Sequence, residues 1–190
     1  MHRRILLPLV AAITLIAPAQ AYARGGNYVF DGGTAPERAQ VKAALNASSF
    51  NWSLVPTRVT IHIGRVGNSD ATPGEIWLDA GLLDSGIFSW GVVQHEYGHQ
   101  VDFFLLNESK RTAFERQLGG VSWWQTGGLA HAQLSSERFA STLAWAYWPS
   151  KQNLLRPQSK TDEAGAMAPA AFRRLLAQQL GVAQLAAAPR

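Results

Sequence analysis

Cysteine is absent from all 190 residues. That excludes disulfides, a lipid-modified cysteine, and a cysteine thiolate that could block a metal in a zymogen. An exported chain of this kind has to rely on its hydrophobic core. Charge is also sparse, at 16% of residues, with 17 Lys and Arg against 13 Asp and Glu. No basic run is present to track a phosphate backbone, so no nucleic-acid partner is expected. Long apolar runs are missing too. The stretch Ile5 to Ala17 falls short of the roughly 20 residues a membrane helix needs. It follows His2, Arg3 and Arg4 and precedes Ala21-Tyr22-Ala23, the order of a cleavable signal peptide over 1–23. Cleavage after Ala23, or after Ala21, leaves one domain's worth of chain over 24–190, with no stable membrane anchor and a secreted destination. No internal repeat is visible, and the oligomeric state is left open.

What the chain does have is the run His95-Glu96-Tyr97-Gly98-His99, an HExxH pattern. It lies in a proline-free segment, Gly86 to Leu106, with Asp84 or Ser85 as a candidate N-cap. Val92, Val93, Val101, Phe103, Phe104 and Leu106 recur there at helical spacing. On a helix the two histidines are one turn apart on the same face, so their imidazoles can converge on one metal with Glu96 beside the open position. Zinc bound there lowers the pKa of its water and polarises a carbonyl, and the carboxylate moves the proton. Two histidines and two carboxylates in an otherwise greasy helix are costly to bury without a metal. Zn2+ is therefore the expected cofactor.

A catalytic zinc usually takes three protein ligands, and Asp102, His131 and Glu137 are candidates for the third. Asp102 shares the histidine face but starts about 4.5 Å along the axis beyond His99. It fits better as an acceptor for a ligand histidine or a partner for a neighbouring basic group. Glu137 opens a second predicted helix, Ser135 to Trp148. Ala140, Ser141 and Ala144 lie on its side of that helix and are small enough for close approach to the HExxH helix. On that geometry Glu137 is the expected third ligand. His131 follows Gly127 and Gly128 in a loop and is read either as a catalytic group or as a surface loop residue.

With those residues in place the chain resembles the gluzincin-type zinc metallopeptidases. In these, HExxH on one helix is completed by a glutamate on a later one. The resemblance is local, covering His95–Asp102 (HEYGHQVD) and Glu137–Ala140 (ERFA). It implies peptide-bond hydrolysis with His95, His99 and Glu137 as ligands and Glu96 as general base, and, because related peptidases place a Tyr or His near the second helix to donate to the oxyanion, His131 in that role. The sequence departs from the pattern at Ser141, where many members carry an aspartate that orients the first histidine; Asp102 or a backbone carbonyl is left to take over that task. A metzincin pattern is not met, because Asp102 and Leu105 occupy the positions it reserves for glycine and a third ligand.

The remaining pattern predicts an α+β, zincin-like fold: a small sheet with an edge strand against the HExxH helix, then a helical C-terminal part. Residues 24–33 read as a flexible arm, and Thr34, Pro36 and Glu37 as a capped helix start running to about Ala47. Thr57–Gly64 and Glu75–Asp79 read as strands on either side of a Gly, Ser and Pro loop. The second of these is either an edge strand that pairs with extended substrate over Gly74–Leu78 or an ordinary internal strand. Further helices are expected over Glu108–Leu118 and Pro169–Leu180, the latter with Phe172, Leu175, Leu176 and Leu180 on one side. Tyr97 is read as core and His62 as the solvent side of its strand. Trp52, Trp77, Trp90 and Trp145 are assigned to the core, and Trp123 and Trp124, in a Gly-flanked loop, to a cleft. The expected function is a secreted zinc metallopeptidase acting on a peptide or protein substrate. The alternative is a non-catalytic peptide or cell-wall binding protein with structural zinc.

Overall fold

The computed structural model describes residues 25–124 and 127–189, and the signal peptide assigned to 1–23 lies outside them. The segment read as a flexible arm instead carries a strand, β1, over Tyr28–Gly32. It runs parallel to β2, Val59–Gly64, with Phe30 opposite Ile61. Tyr28 and Phe30 share one face of the strand and pack against the core. Gly32 and Gly33 end it with φ of 70° and 71°. A Cβ on Gly32 would stand 2.6 Å from the Ile63 carbonyl oxygen, so glycine is needed where the backbones meet.

The parallel crossover from β1 to β2 is made by α1, Ala35–Ala47, and it starts where the sequence predicts. The Thr34 N–H donates to Glu37 Oε2 at 2.6 Å and the Glu37 N–H donates to Thr34 Oγ1 at 3.4 Å, a reciprocal capping box. In β2, Val59, Ile61 and Ile63 are buried on one face. His62 stands on the other, against Asp31 at 2.8 Å and stacked on Trp77 with ring centroids 5.0 Å apart. Trp77, Trp90 and Trp145 are half-buried; Trp52 alone of the four is fully enclosed.

The predicted loop after β2 contains a three-residue strand, β3, Asp70–Thr72. A two-residue turn, Pro73-Gly74 with Gly74 at φ 85°, returns it antiparallel onto β4, Glu75–Asp79. The sheet order is β1-β2-β4-β3, with β2 and β4 parallel. Of the two readings of Glu75–Asp79 the internal one holds, and the edge beside the HExxH helix is β3. Pattern alone could not locate β3, because Asp-Ala-Thr pairs through its backbone and buries little side chain.

Asp79 caps a one-turn helix, α2, Ala80–Leu83, through 2.9 Å from the Leu82 N–H. The central helix, α3, spans Trp90–Leu105. It begins later than Gly86 because Gly86 takes φ 66° and the following turn is 3₁₀. Every residue from Val93 to Asp102 is buried, which makes α3 an inner helix enclosed on all sides. The helices α4 (Glu108–Leu118), α5 (Ser135–Tyr147) and α6 (Pro169–Leu180) complete an α+β architecture of a mixed four-stranded sheet and six α-helices among the described residues. One hydrophobic cluster links Ile61, Ile76 and Leu78 of the sheet, Val93, Tyr97 and Val101 of α3, and Phe114, Phe139 and Phe172 of the last three helices. The C-terminal helix α6 docks through Phe172 and Leu176, and Arg173 donates to the Ala146 carbonyl at 2.8 Å. Among the described residues no helix is long and apolar enough to cross a membrane.

Candidate metal centre

The two helices carrying the motif residues cross where both are made of small side chains. A Cβ on Gly98 would meet Ala140 Cα at 3.3 Å and Ala140 Cβ at 3.4 Å. Ala140, Ser141 and Ala144 are all buried, as the small-residue face of α5 predicts. This contact brings Glu137, one turn before Ala140 and Ser141, over the imidazoles of α3. Glu137 Oε2 lies 3.2 Å from His95 Nε2 and 3.2 Å from His99 Nε2, and the two nitrogens are 3.1 Å apart. Four donors placed about 2.0–2.1 Å from a tetrahedral zinc are separated by roughly 3.3–3.4 Å. The triangle of His95, His99 and Glu137 therefore matches one face of such a site to within a few tenths of an ångström. Two imidazole nitrogens and a carboxylate oxygen are also the donor types zinc takes. Facing ring nitrogens can share at most one proton between them, so a cation satisfies this cluster better than hydrogen bonds do.

Glu96 is buried beside the triangle, and its donor oxygen lies within 4.8 Å of the His95 and His99 donor nitrogens. Desolvation raises its pKa above the ordinary carboxylate value, against the pull of the two histidines. Glu137 goes the other way. Burial works against its ionisation but is outweighed by the contacts with the His131, His95 and His99 imidazoles together, and its carboxyl is held far below the usual range. For His99 the cost of burial is likewise overcome by Glu137, and its pKa is raised.

The loop histidine reaches the same centre. His131 Nε2 stands 3.0 Å from Glu137 Oε2, and its ring stacks on that of His95 with centroids 6.2 Å apart. Its side chain remains 64% exposed, open to anything entering the cleft. Hydrogen bonds to Glu137 and then Glu163 push its pKa up to about 10.

Asp102 does not orient a metal-site histidine. It is fully buried and accepts from Arg111 Nε at 2.8 Å and from Trp123 Nε1 at 2.9 Å. Its role is thus the partner of a neighbouring basic group. The task left open by the missing aspartate falls to Ser141 itself, whose Oγ lies 2.9 Å from His95 Nδ1. Behind Ser141 is Glu163, which accepts the Ser141 hydroxyl at 2.9 Å and contacts His131 Nδ1 at 2.7 Å. Glu163 had no signal in the sequence. It sits in a 3₁₀ turn, Glu163–Gly165, inside a stretch without helical or strand period. Only a polar stripe on α5 hinted at a partner: Thr142 Oγ1 donates to the Glu163 carbonyl at 3.1 Å and Arg138 to the Thr161 carbonyl at 3.2 Å.

Two cavities open beside the triangle. One, of about 340 Å³, is walled by Phe103, Trp124, Leu134 and Pro73 next to His99 and Glu137. The other, of about 700 Å³, holds Glu96 with Asn68, Ser69, Asp70 and Asp79. Trp124 lies in the cleft as predicted, parallel to Phe103 at 5.7 Å, with the Arg111 guanidinium 4.9 Å from its ring centroid. Trp123 does not. Its bond to Asp102 turns the indole inward against Phe139, and it is core.

Comparison with protein-family models, with curated proteins and with solved structures finds no match for this chain.

Proposed function

We propose that this chain is a secreted zinc metallopeptidase of gluzincin type on a zincin-like fold, cleaving peptide bonds in a peptide or protein substrate. The observation that carries the reading is the spacing of His95 Nε2, His99 Nε2 and Glu137 Oε2, at 3.1 to 3.2 Å from one another, with a buried carboxylate beside them. His95, His99 and Glu137 are the ligands. When bound, zinc supplies Lewis-acid polarisation of the scissile carbonyl and makes water more acidic. Glu96, whose carboxyl burial holds above its ordinary value, accepts a proton from the attacking water as its oxygen bonds to the carbonyl carbon. It returns that proton to the leaving amine as the carbon–nitrogen bond breaks. His131, exposed at the mouth of the cleft, donates to the developing oxyanion. The free edge of β3 offers backbone groups to an extended chain, and the Phe103 and Trp124 walls favour an apolar or aromatic side chain beside the cut bond.

A second reading, a zinc-containing binding protein without catalysis, is favoured by one distance. His131 Nε2 at 3.0 Å from Glu137 Oε2 suits a fourth ligand, which would close the position substrate needs. The deciding experiment is zinc content by elemental mass spectrometry on the purified protein, followed by His131→Ala. Near one zinc per chain is expected. If His131 serves the oxyanion, the variant keeps its zinc and loses kcat; if it is a ligand, the variant loses zinc affinity. A folded chain that takes up no zinc sinks both.

A further inference from the structure

We infer that Glu163 is the positioning residue of the centre, a single carboxylate that fixes the orientation and tautomer of His95 through Ser141 and the orientation of His131 directly; this rests on the zinc-peptidase reading of the same site. The hydrogen-bond directions are forced. An ionised carboxylate only accepts, so at 2.9 Å Ser141 Oγ–H must donate to Glu163 Oε2. That leaves a lone pair on Ser141 Oγ to accept from His95 Nδ1–H at 2.9 Å. In the neutral ring His95 Nε2 is then unprotonated and turned toward Glu137 and His99, as a ligand must be. By the same rule Glu163 Oε1 accepts from His131 Nδ1–H at 2.7 Å and aims the other ring nitrogen at Glu137.

Glu163 is itself held from two sides. Its carbonyl receives Thr142 Oγ1 at 3.1 Å, and Arg138 secures the neighbouring Thr161 carbonyl at 3.2 Å. Arg138, Ser141 and Thr142 lie on one stripe of α5, so the helix that supplies Glu137 also clamps the segment that supplies Glu163. A carboxylate directly at position 141 would serve His95 alone. The two-step arrangement lets one group serve two rings, and it accounts for serine at that position.

The test compares Glu163→Ala, Glu163→Gln and the double variant Ser141→Asp/Glu163→Ala with wild type. Zinc affinity is measured by chelator competition, and the His95 tautomer and the His131 ring shifts by long-range proton–nitrogen NMR on the metal-free proteins at mildly alkaline pH. Losing such a partner lowers metal affinity by roughly 10–100-fold, which is the loss expected for Glu163→Ala. The same variant is expected to shift His95 from the Nδ1–H form to a mixture. Glu163→Gln can accept from only one of its two partners and is expected to fall between. Ser141→Asp, placed in the space vacated by Glu163→Ala, restores zinc affinity and the His95 tautomer but not the wild-type ring shifts of His131. Wild-type zinc binding with affinity unchanged to about twofold in Glu163→Ala and Glu163→Gln overturns the relay and leaves the peptidase reading standing. If the wild type binds no zinc, the peptidase reading falls, and the ring signals alone decide the relay: an unchanged His95 tautomer with unchanged His131 ring shifts in Glu163→Ala overturns it, and a His95 mixture with displaced His131 ring shifts supports it.

Discussion

Glu96 and Glu137 face the same two imidazoles, yet their carboxyls are driven in opposite directions. Desolvation lifts Glu96, while contacts with His131, His95 and His99 hold Glu137 ionised. Such a split suits the proton carrier and the permanent anion that the proposed mechanism calls for. Glu96 accepts a proton only when ionised, so kcat/KM is expected to fall as pH drops through a value above the usual glutamate range. Glu96→Gln should abolish that limb and lower the rate by roughly 10²–10⁴-fold with zinc retained; unchanged activity removes Glu96 from the mechanism. His131 gives a second pH effect, in the metal-free protein. Its folded pKa, about 10, lies above the unfolded value of 6.5, so its pairing stabilises the fold fully below 6.5. That contribution is lost as pH rises through about 10. The difference in denaturant midpoint between chelated wild type and His131→Ala should therefore shrink across this window; a constant difference contradicts the pairing. These residue types and spacings were legible because HExxH on a helix has only one geometry. Glu163 was not, because Ser141 meets it across a bend in the chain that no periodicity records.

At the scale of elements, the centre depends on how closely α5 approaches α3. The small face of α5 could be read from Ala140, Ser141 and Ala144, and the helices themselves from apolar period and caps such as Thr34 with Glu37. The complementary notch at Gly98 went unread, since a glycine inside a motif carries no sign of what packs against it. Ala140→Leu is expected to cost about 1–3 kcal/mol by overpacking. It should weaken zinc binding as well, by lifting Glu137 from the histidines; full affinity at reduced stability would show that the crossing does not position the ligand. The sheet edge is fixed by a different device. Gln100, fully buried on α3, accepts from the Gly74 N–H at 2.8 Å and donates to the Thr72 and Glu75 carbonyls at 2.9 and 3.1 Å. Its amide thus pins both ends of the β3–β4 turn to the helix bearing His95 and His99. Gln100→Ala leaves the Gly74 N–H without its acceptor and takes a donor from the Thr72 and Glu75 carbonyls, a loss of about 1–3 kcal/mol. If β3 is where extended substrate pairs, KM for long peptides should rise more than kcat falls. A variant that loses kcat alone would place substrate elsewhere.

In the whole molecule, the three residues proposed to bind the metal sit on the two helices that join the sheet to the C-terminal helices. α3 packs against α1 and the sheet edge, and α5 against α4 and α6. Without disulfides, a metal held between α3 and α5 is the one covalent-like fastening across this junction that the described residues provide for. Its effect on stability follows from binding to the folded chain alone: free zinc at about a thousandfold over Kd contributes about 4 kcal/mol. For a chain of this size that corresponds to roughly 8–16 °C in Tm. Chelation is therefore expected to lower Tm by that order in the wild type, and Glu137→Gln should lose most of the shift. Glu96→Gln should keep it in full, because that carboxylate serves the proton and not the metal. A Tm indifferent to zinc in the wild type would mean that the three donors are held together by packing of α3 on α5 alone. Equal loss in both glutamate variants would mean that Glu96 is a ligand, and the division between proton carrier and permanent anion would have to be redrawn.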